Sequence, residues 1–249
     1  MVNLSFYKDK RVFITGHTGF KGSWLTLALL EAGAIVTGYA LAPDTITSLF
    51  NILGIKKHIT SYFADISDFR ALSKAFMKSK PEIVFHMAAQ PIVREGYKNP
   101  RYTYITNVIG TVNILECLRM SPCAKSFVNV TTDKVYENLE RRKGYSEGDR
   151  LCGYDPYANS KSCSELVTYS YRNSYFYKEN SPAVSTARSG NVIGGGDFSA
   201  DRIIPDCVRA ALRKLPVIVR NPNSVRPYQH VLDCLAGYLI LAKKQYEHR

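Results

Sequence analysis

The sequence predicts an α/β protein built on a doubly wound parallel sheet with helices on both faces. Short β-branched runs alternate with longer amphipathic stretches along the chain, and strict alternation of strands and helices is typical of such sheets. A glycine-rich turn, GHTGFKG at residues 16–22, follows the first run and precedes an apolar, helix-like stretch. Together these features predict a Rossmann-like sheet, which binds its ligands outside the carboxyl ends of the strands.

Six runs are predicted to form strands because they are short and rich in β-branched residues. They are Arg11–Thr15, Ile35–Tyr39, Ile59–Phe63, Ile83–His86, Phe127–Val130 and Val184–Ala187. Longer stretches between them have the pattern of amphipathic helices. They are Lys21–Ala32, Phe69–Ser79, Thr103–Met120 and Tyr157–Tyr171.

The composition limits the classes of function. At 249 residues and 45% hydrophobic composition, the chain suits one large domain, or one domain with part of another. It has no run of eighteen apolar residues and no apolar signal core at its start, so we expect neither a membrane span nor export. The six cysteines are scattered without metal-ligand spacing, which indicates reduced thiols in the cytoplasm and no metal site.

The net charge of +12 suggests nucleic acid as a candidate class of partner. The basic residues are dispersed and form no nucleic-acid motif, so we expect no nucleic-acid binding. A general attraction for anionic small molecules explains the charge as well. A basic nucleic-acid binder is the last alternative, and a steep salt dependence of DNA retention would reveal it.

The glycine-rich turn predicts a dinucleotide site. Gly16, Gly19 and Gly22 allow a tight turn, close approach of a pyrophosphate and close seating of the next helix. The N-terminal amides of that helix would then point at the anion. The alternative is a turn whose glycines serve packing alone.

The second predicted strand lacks the acid that often binds the ribose hydroxyls. Its continuation, IVTGYALAPD, reaches Asp44 only beyond Pro43. No arginine stands there for a 2′-phosphate, which favours NAD over NADP. Asp65, just after the third strand, is a candidate contact to the adenine. Alternatively, Asp65 or the nearby Ser67 caps the next helix.

Two further segments carry chemical groups. In the stretch VNVTTDKVYEN, Asp133 and Lys134 lie at the tip of a predicted strand. They form either a solvated turn or part of a site.

In GYDPYANSKSCSELV, Tyr157 and Lys161 are four residues apart and therefore share one face of a helix. A lysine cation and an oxidised nicotinamide lower the pKa of a phenol and make it a usable base toward a sugar hydroxyl. The alternative is an ordinary surface pair.

Seven stretches of the chain carry a family resemblance. They are GHTGFKGSWL, FHMAAQPIVREGY, TTDKVYEN, DPYANSKSCSELV, TARSGNVIGGGDF, RIIPD and RPYQHVL. From Lys10 to about Gln245 the chain resembles the extended short-chain dehydrogenase/reductase family (the NAD-dependent epimerase/dehydratase group), and most of all its CDP-glucose 4,6-dehydratase branch. The resemblance implies a hydro-lyase that uses NAD to convert CDP-glucose to CDP-4-keto-6-deoxyglucose. It also implies a place in deoxysugar biosynthesis for surface polysaccharides such as lipopolysaccharide O-antigen.

The resemblance implies catalytic roles at the strand tip and the helix. Thr132 would hydrogen-bond the sugar 4-hydroxyl beside Tyr157 and Lys161, and Asp133 would protonate the departing 6-hydroxyl. Many relatives carry a glutamate as the base for the C5 proton where this chain has Lys134. Lys134 is then either a neutral base or a cation that stabilises the enolate. Asp133 favours dehydration over 4-epimerisation, and another nucleotide sugar with the same mechanism stays open.

Binding residues are implied in the same way. Besides Tyr157 and Lys161, the expected cofactor contacts are Gly16, His17, Gly19, Phe20, Gly22, Asp65, Ile66, Ala88, Ala89, Gln90 and Asn107. The expected substrate contacts are Gln90, Thr132, Arg188, Asn191, Arg202 and Arg226. Arg226 is expected on the diphosphate, because its fork of donors suits phosphate oxygens. His230 is expected to orient the local turn.

The predicted organisation has three parts. Residues 1–187 form the NAD-binding domain, residues 188–227 part of a sugar-nucleotide-binding lobe, and residues 228–249 a segment that returns to the first domain. Family chains continue beyond the equivalent of Arg249, so we expect a C-terminally truncated chain, either active or an inactive NAD-binding fragment. The resemblance also implies a homodimer formed through the helices at Thr103–Met120 and Tyr157–Tyr171.

Overall fold

A computed structural model describes residues 4–43, 45 and 47–248. Its strands are β1 Arg11–Thr15, β2 Ile35–Ala40, β3 Thr60–Phe63, β4 Ile83–His86, β5 Ser126–Val130 and β6 Ala183–Ala187. They form one parallel sheet in the order β3-β2-β1-β4-β5-β6. The predicted fold class and the predicted strands are confirmed, with strand ends shifted by at most one residue. Asp44, considered above as a ribose contact, lies outside the described residues.

Helices connect and cover these strands. They are α1 Phe20–Glu31, α2 Leu49–Ile52, α3 Phe69–Ser79, α4 Val93–Lys98, α5 Pro100–Tyr104, α6 Gly110–Arg119, α7 Pro156–Tyr175, α8 Ile203–Leu212 and α9 Val231–Glu247. Two short strands, β7 Asn191–Ile193 and β8 Tyr228–His230, pair in parallel as a separate sheet. Over the described ranges, no helix combines the length and the hydrophobicity of a transmembrane segment.

Alternate strand residues face two apolar cores. Val12 and Ile14 of β1 pack on one face with α1 and α9, whereas Phe13 packs on the other with α3 and α6. This alternation follows from the two-residue period of a strand. The predicted boundaries at residues 187/188 and 227/228 stay predictions. The last helix, α9, contacts both β5 and α1.

The strand order reverses between β1 and β4, and the two strand ends meet there. Thr15 pairs with His86 in the register of these strands. Gly16 then turns with a φ of +77°, and a Cβ on it would lie 2.7 Å from the backbone nitrogen of Ala88. Only glycine fits this tight passage. A crevice at such a reversal is where sheets of this type bind their ligands.

The predicted helix Thr103–Met120 is wrong in one respect, because it is interrupted. Between α5 and α6 the chain makes a π-helical turn over Ile105–Ile109. The turn places Asn107 inward, where its side-chain nitrogen donates to the Gln90 carbonyl (3.1 Å) and to Ser160 Oγ (2.9 Å). Turns of this kind occur frequently at functional sites.

The alternative interpretation of the loop after β3, in which Asp65 or Ser67 caps α3, is wrong. Asp68 precedes the first helical residue, and its carboxylate accepts from the amide of Ala71 at 3.0 Å. Asp65 instead accepts from the amide of Ser67 at 2.8 Å, within the loop after β3. Neither Asp65 nor Ser67 is the N-cap, because an N-cap must directly precede the helix.

Candidate active site

The start of α7 fixes the position of Tyr157. Asp155 caps the helix by accepting from the amides of Tyr157 (2.9 Å) and Ala158 (3.0 Å). Pro156 occupies the first helical position, where its missing N–H loses no hydrogen bond. Tyr157 therefore lies in the first turn, and Lys161 follows one turn later on the same face.

The two side chains of this pair have pKa values shifted by their surroundings. Burial raises the pKa of Tyr157 to about 12, although a hydrogen bond with Thr132 and the charge of Arg202 act in the opposite direction. Burial and then the charge of Lys21 lower the pKa of Lys161 to about 7. At neutral pH the phenol therefore keeps its proton, and it needs added positive charge nearby to act as a base.

Lys161 is fixed by the strand beside it. Its side chain is buried, with 4% of the residue exposed, and its ammonium donates to the carbonyl of Val130 at 3.1 Å. Val130 is the last residue of β5. This bond joins the helix that carries Tyr157 to the strand whose tip carries Thr132.

The charged residues at the tip of β5 face each other. Thr132 Oγ1 donates to Asp133 Oδ1 at 3.1 Å, and Lys134 Nζ lies 3.5 Å from the same oxygen. Lys134 Nζ also donates to Asn191 Oδ1 at 3.3 Å. About a third of the Asp133 and Lys134 side chains is exposed (33% and 30%). The tip therefore offers an acid and an amine together, in contact with β7.

The glycine-rich turn fits a pyrophosphate. A Cβ on Gly22 would lie 2.1 Å from the Gly16 carbonyl oxygen, so packing explains the glycines at these two positions. A Cβ on Gly19 would meet that oxygen at an ordinary 3.5 Å, so packing does not explain Gly19. Among the described residues no side chain caps α1 at Gly19. The amides at the start of α1 are therefore open to an anion.

His17 packs against β2 near the carboxyl end of that strand. Its ring lies against Gly38, where an added Cβ would be 2.3 Å from the ring. Nε2 lies 2.7 Å from Ser61 Oγ, and the ring is parallel to that of Phe63 with centroids 6.2 Å apart. Burial lowers the pKa of His17 to about 4, so the ring is neutral. Its contact with the cofactor stays a prediction.

Gln90 and Asn107 form the wall beyond β4. The Gln90 amide donates to Asn107 Oδ1 at 2.9 Å, and Gln90 Nε2 donates to Thr103 Oγ1 at 2.9 Å. Gln90 Oε1 accepts from the amide of Ile92 at 2.6 Å. Both amide side chains are buried and bonded to protein groups. They shape the crevice, and their direct ligand contacts stay predictions.

The other expected cofactor residues lie around the same edge of the sheet. Ala88 and Ala89 follow β4 and are partly buried. Asp65 accepts from the Tyr39 hydroxyl through its carbonyl oxygen at 3.0 Å. Ile66 packs against Gly110, where an added Cβ would be 2.7 Å away. Phe20 begins α1 and packs against one of the apolar cores.

The expected substrate arginines differ in their surroundings. Arg188 forms an ion pair with Glu165 at 2.8 Å, and Arg202 donates to Asp197 Oδ2 at 3.0 Å. Arg226 is exposed, and within the described part of the chain no hydrogen bond or ion pair engages it. The roles of all three in substrate binding stay predictions.

Sequence reasoning missed Lys21 and Ser189. The ammonium of Lys21 donates to Ser189 Oγ at 3.3 Å, and the Ser189 carbonyl accepts from the amide of Asp133 at 3.0 Å. Burial lowers the pKa of Lys21. A charged residue inside a glycine-rich turn, GFKG, was the available signal, because turns of this kind before a helix are suited to bind anions.

The site defines a class: a parallel-sheet protein with an anion-binding turn and a Tyr–Lys pair at the reversal of the strand order. Residues 13–248 match the family described as GDP-mannose 4,6 dehydratase, and the chain belongs to this family. It is 50% identical to CDP-glucose 4,6-dehydratase of Salmonella typhimurium over 99% of this chain and 70% of that protein. The family resemblance predicted from the sequence is confirmed.

Solved structures agree with this placement. The chain is similar to DesIV (dTDP-glucose 4,6-dehydratase) from Streptomyces venezuelae, with NAD and TYD bound, at 26% identity and a TM-score of 0.80, covering 93% of this chain and 72% of that one. It is also similar to dTDP-glucose 4,6-dehydratase from Bacillus anthracis in complex with NAD, at 25% identity and a TM-score of 0.78. That match covers 95% of this chain and 72% of the other.

Proposed function

We propose that this chain catalyses the NAD-dependent dehydration of CDP-glucose to CDP-4-keto-6-deoxyglucose in the cytoplasm. The observation that carries the proposal is the Asp133–Lys134 pair at the tip of β5, next to Thr132, which hydrogen-bonds Tyr157. This arrangement supplies both an oxidation site and an elimination site. The 50% identity to the Salmonella CDP-glucose enzyme supports cytidine as the base of the substrate.

The oxidation site needs one proton acceptor and one hydride acceptor. The glycine-rich turn at Gly16, Gly19 and Gly22 would hold NAD, which would supply the hydride acceptor for C4 and the hydride donor for C6. Tyr157 takes the proton of the C4 hydroxyl, which Thr132 holds. Because burial favours the neutral phenol, the positive nicotinamide and the protonated form of Lys161 are needed to lower the Tyr157 pKa. The resulting ketone acidifies the proton on C5.

The elimination site needs a base for C5 and an acid for the C6 hydroxyl. Transfer of one proton from Lys134 to Asp133 converts the ion pair into a neutral amine and a carboxylic acid without a change in net charge. Substrate that covers this partly exposed pair removes water and favours the neutral forms. The amine then takes the C5 proton, the acid protonates the C6 hydroxyl, and water leaves. The ion pair is thereby restored.

The experiment is turnover of CDP-glucose by the purified chain with NAD, followed by detection of the 4-keto-6-deoxy product. The variant Asp133→Asn should still reduce NAD at C4 but should form product about 100-fold more slowly, because general acid catalysis is lost. Glu247→Gln is the control, since Glu247 pairs with Lys243 at the end of α9, a helix end that lies near Ser126 at the start of β5 rather than at its tip. Unchanged product formation by Asp133→Asn would sink the assignment.

The wild-type result separates the alternatives. Absence of product with NAD still bound would point to an inactive NAD-binding fragment. Product from dTDP-glucose or another nucleotide sugar, and none from CDP-glucose, would keep the mechanism and change the substrate. Interconversion at C4 without loss of water would identify a 4-epimerase.

We also propose that the chain forms a homodimer through α6 and α7. Support comes from large apolar side chains exposed on and beside these helices: Ile109 (47%), Met120 (45%), Leu166 (53%) and Tyr169 (61%). Pairing of two helices from each copy would cover them in a symmetric contact. Sizing chromatography with light scattering should give twice the mass of the chain, and a monomer would contradict the proposal.

A further inference from the structure

We propose that Glu165 is a positioning residue that fixes the strand tip carrying Thr132 and Asp133 against the helix carrying Tyr157 and Lys161. Glu165 lies on α7, four residues after Lys161. The inference rests on the proposed function, because it concerns the geometry of that reaction. It assigns no substrate contact to Glu165.

The carboxylate of Glu165 joins three elements. Its Oε1 accepts from Thr131 Oγ1 at 2.5 Å and from Arg188 Nε at 2.8 Å. Its Oε2 accepts from Thr186 Oγ1 at 2.7 Å and from Arg188 Nη2 at 2.8 Å. Thr186 belongs to β6, and Thr131 directly follows β5. One side chain of α7 thus holds the carboxyl ends of two neighbouring strands.

Glu165 stays ionised in this position. Only 4% of the residue is exposed, and an unpaired carboxylate buried to this degree would be strongly unfavourable. Burial acts to raise its pKa, but the hydrogen bonds from Arg188, Thr131 and Thr186 outweigh it and lower the pKa. Charge-assisted bonds to both oxygens make the junction stronger and more directional than neutral hydrogen bonds would.

Thr131 transmits this position to the catalytic residues. Its amide donates to the Ala187 carbonyl at 2.9 Å, and the amide of Asp133 donates to the Ser189 carbonyl at 3.0 Å. These bonds continue the ladder between the chain segments that follow β5 and β6. Because successive side chains of an extended chain alternate, Thr131 is held by Glu165 while Thr132 is directed to Tyr157. Displacement of Thr131 therefore displaces Thr132.

Two threonines allow a matched test. Thr131 and Thr186 each donate one hydroxyl hydrogen bond to Glu165, and valine has nearly the same shape without the hydroxyl. Thr131→Val should lower kcat at least tenfold while KM for CDP-glucose and for NAD stays within about twofold. Thr186→Val should keep kcat within about threefold of the wild type. Both should shift the thermal midpoint by similar amounts.

The same variants show whether Glu165 acts through Thr131. In a Glu165→Gln background the junction is already weakened, so Thr131→Val should cause a smaller fold-loss in kcat than it does in the wild type. Fully independent losses would overturn the role of Glu165. Equal losses of kcat in Thr131→Val and Thr186→Val would indicate general destabilisation and would overturn the positioning role.

A measurement without turnover separates this inference from the proposed function. Hydrogen–deuterium exchange of residues 131–135 should be about tenfold faster in Thr131→Val than in Thr186→Val, because only the first loses the bond next to the catalytic tip. If the wild type forms no product, the proposed function fails while this comparison still decides the positioning role. Equal exchange in the two variants would overturn it.

Discussion

The tip of β5 and the segment between α8 and β8 carry side chains assigned to one site, yet the protein holds them very differently. Around the tip, Thr132, Lys161 and Glu165 are at most 5% exposed, and each has hydrogen-bond partners. In the segment 213–227 every residue except Ser224 is exposed. Large apolar side chains are among them, with Ile218 at 84% and Val225 at 93%.

The difference in exposure separates side chains proposed to act in catalysis from a side chain expected to bind the substrate. Thr132 and Lys161, which are proposed to act in the oxidation step, are fixed by the fold before any ligand arrives, and such preorganisation lowers a reaction barrier. Arg226, which is expected to hold the diphosphate, has no comparable support within the described residues. Changes near the tip should therefore alter rate or stability, whereas changes in the open segment should alter substrate affinity.

The buried residues at the carboxyl ends of β1, β4 and β5, together with Lys161 and Glu165 of α7, form the rigid side of the molecule. His86, the last residue of β4, belongs to it and illustrates how these strand ends are held. Thr15 Oγ1 accepts from the amides of Met87 (3.0 Å) and Ala88 (3.1 Å), so its own proton is free to go to His86 Nδ1 at 2.7 Å. We therefore assign the histidine proton to Nε2, which lies 3.2 Å from Thr111 Oγ1. A second proton on the ring would place two donors against each other.

The largest effect should appear when this network is acidified. Burial and then the charge of Lys161 lower the pKa of His86 to about 3, compared with about 6.5 in the unfolded chain. Between these values the unfolded state binds more protons, so the contribution to stability is present above pH 6.5 and is lost as the pH falls. From pH 7 to pH 5 the loss from His86 should be about 2 kcal/mol in the free energy of unfolding.

The measurement is urea unfolding at pH 7 and pH 5. His86→Asn keeps an acceptor for Thr15 and should reduce the difference between the two free energies by about 2 kcal/mol. His58→Gln, a change at an exposed histidine, should leave the difference as in the wild type. An unaltered pH dependence in His86→Asn would show that the rigid side is not held in this way.

Local patterns explain why so much of this rigid side could be predicted from the sequence. The strands are short β-branched runs that are buried in the sheet, so their pattern needs no information from distant residues. Tyr157 and Lys161 lie within one turn of one helix, and Asp155 and Pro156 mark its start. Their relation is therefore readable from spacing alone.

Contacts between distant residues explain what could not be predicted. Glu165 looks like any helical glutamate, and its partners Thr131 and Thr186 lie 34 and 21 residues away. The interruption of the helix at Ile105–Ile109 contains Asn107, which bonds Ser160, 53 residues away in sequence. No periodicity encodes these pairings, because tertiary contacts select them after the elements have formed.

The smaller effect belongs to the open segment, and Arg226 tests it. Replacement Arg226→Gln should raise KM for CDP-glucose roughly tenfold, equivalent to about 1.4 kcal/mol, the loss of one charge-assisted hydrogen bond to the diphosphate. We expect kcat within about twofold and no change in the thermal midpoint, since Arg226 is exposed. Arg220→Gln is the control, because the Arg220 guanidinium is already engaged by Asp201 at 2.6 Å.

An unchanged KM for CDP-glucose in Arg226→Gln would remove Arg226 from the site. A fall in kcat would instead place it with the rigid side and contradict the division between the two regions.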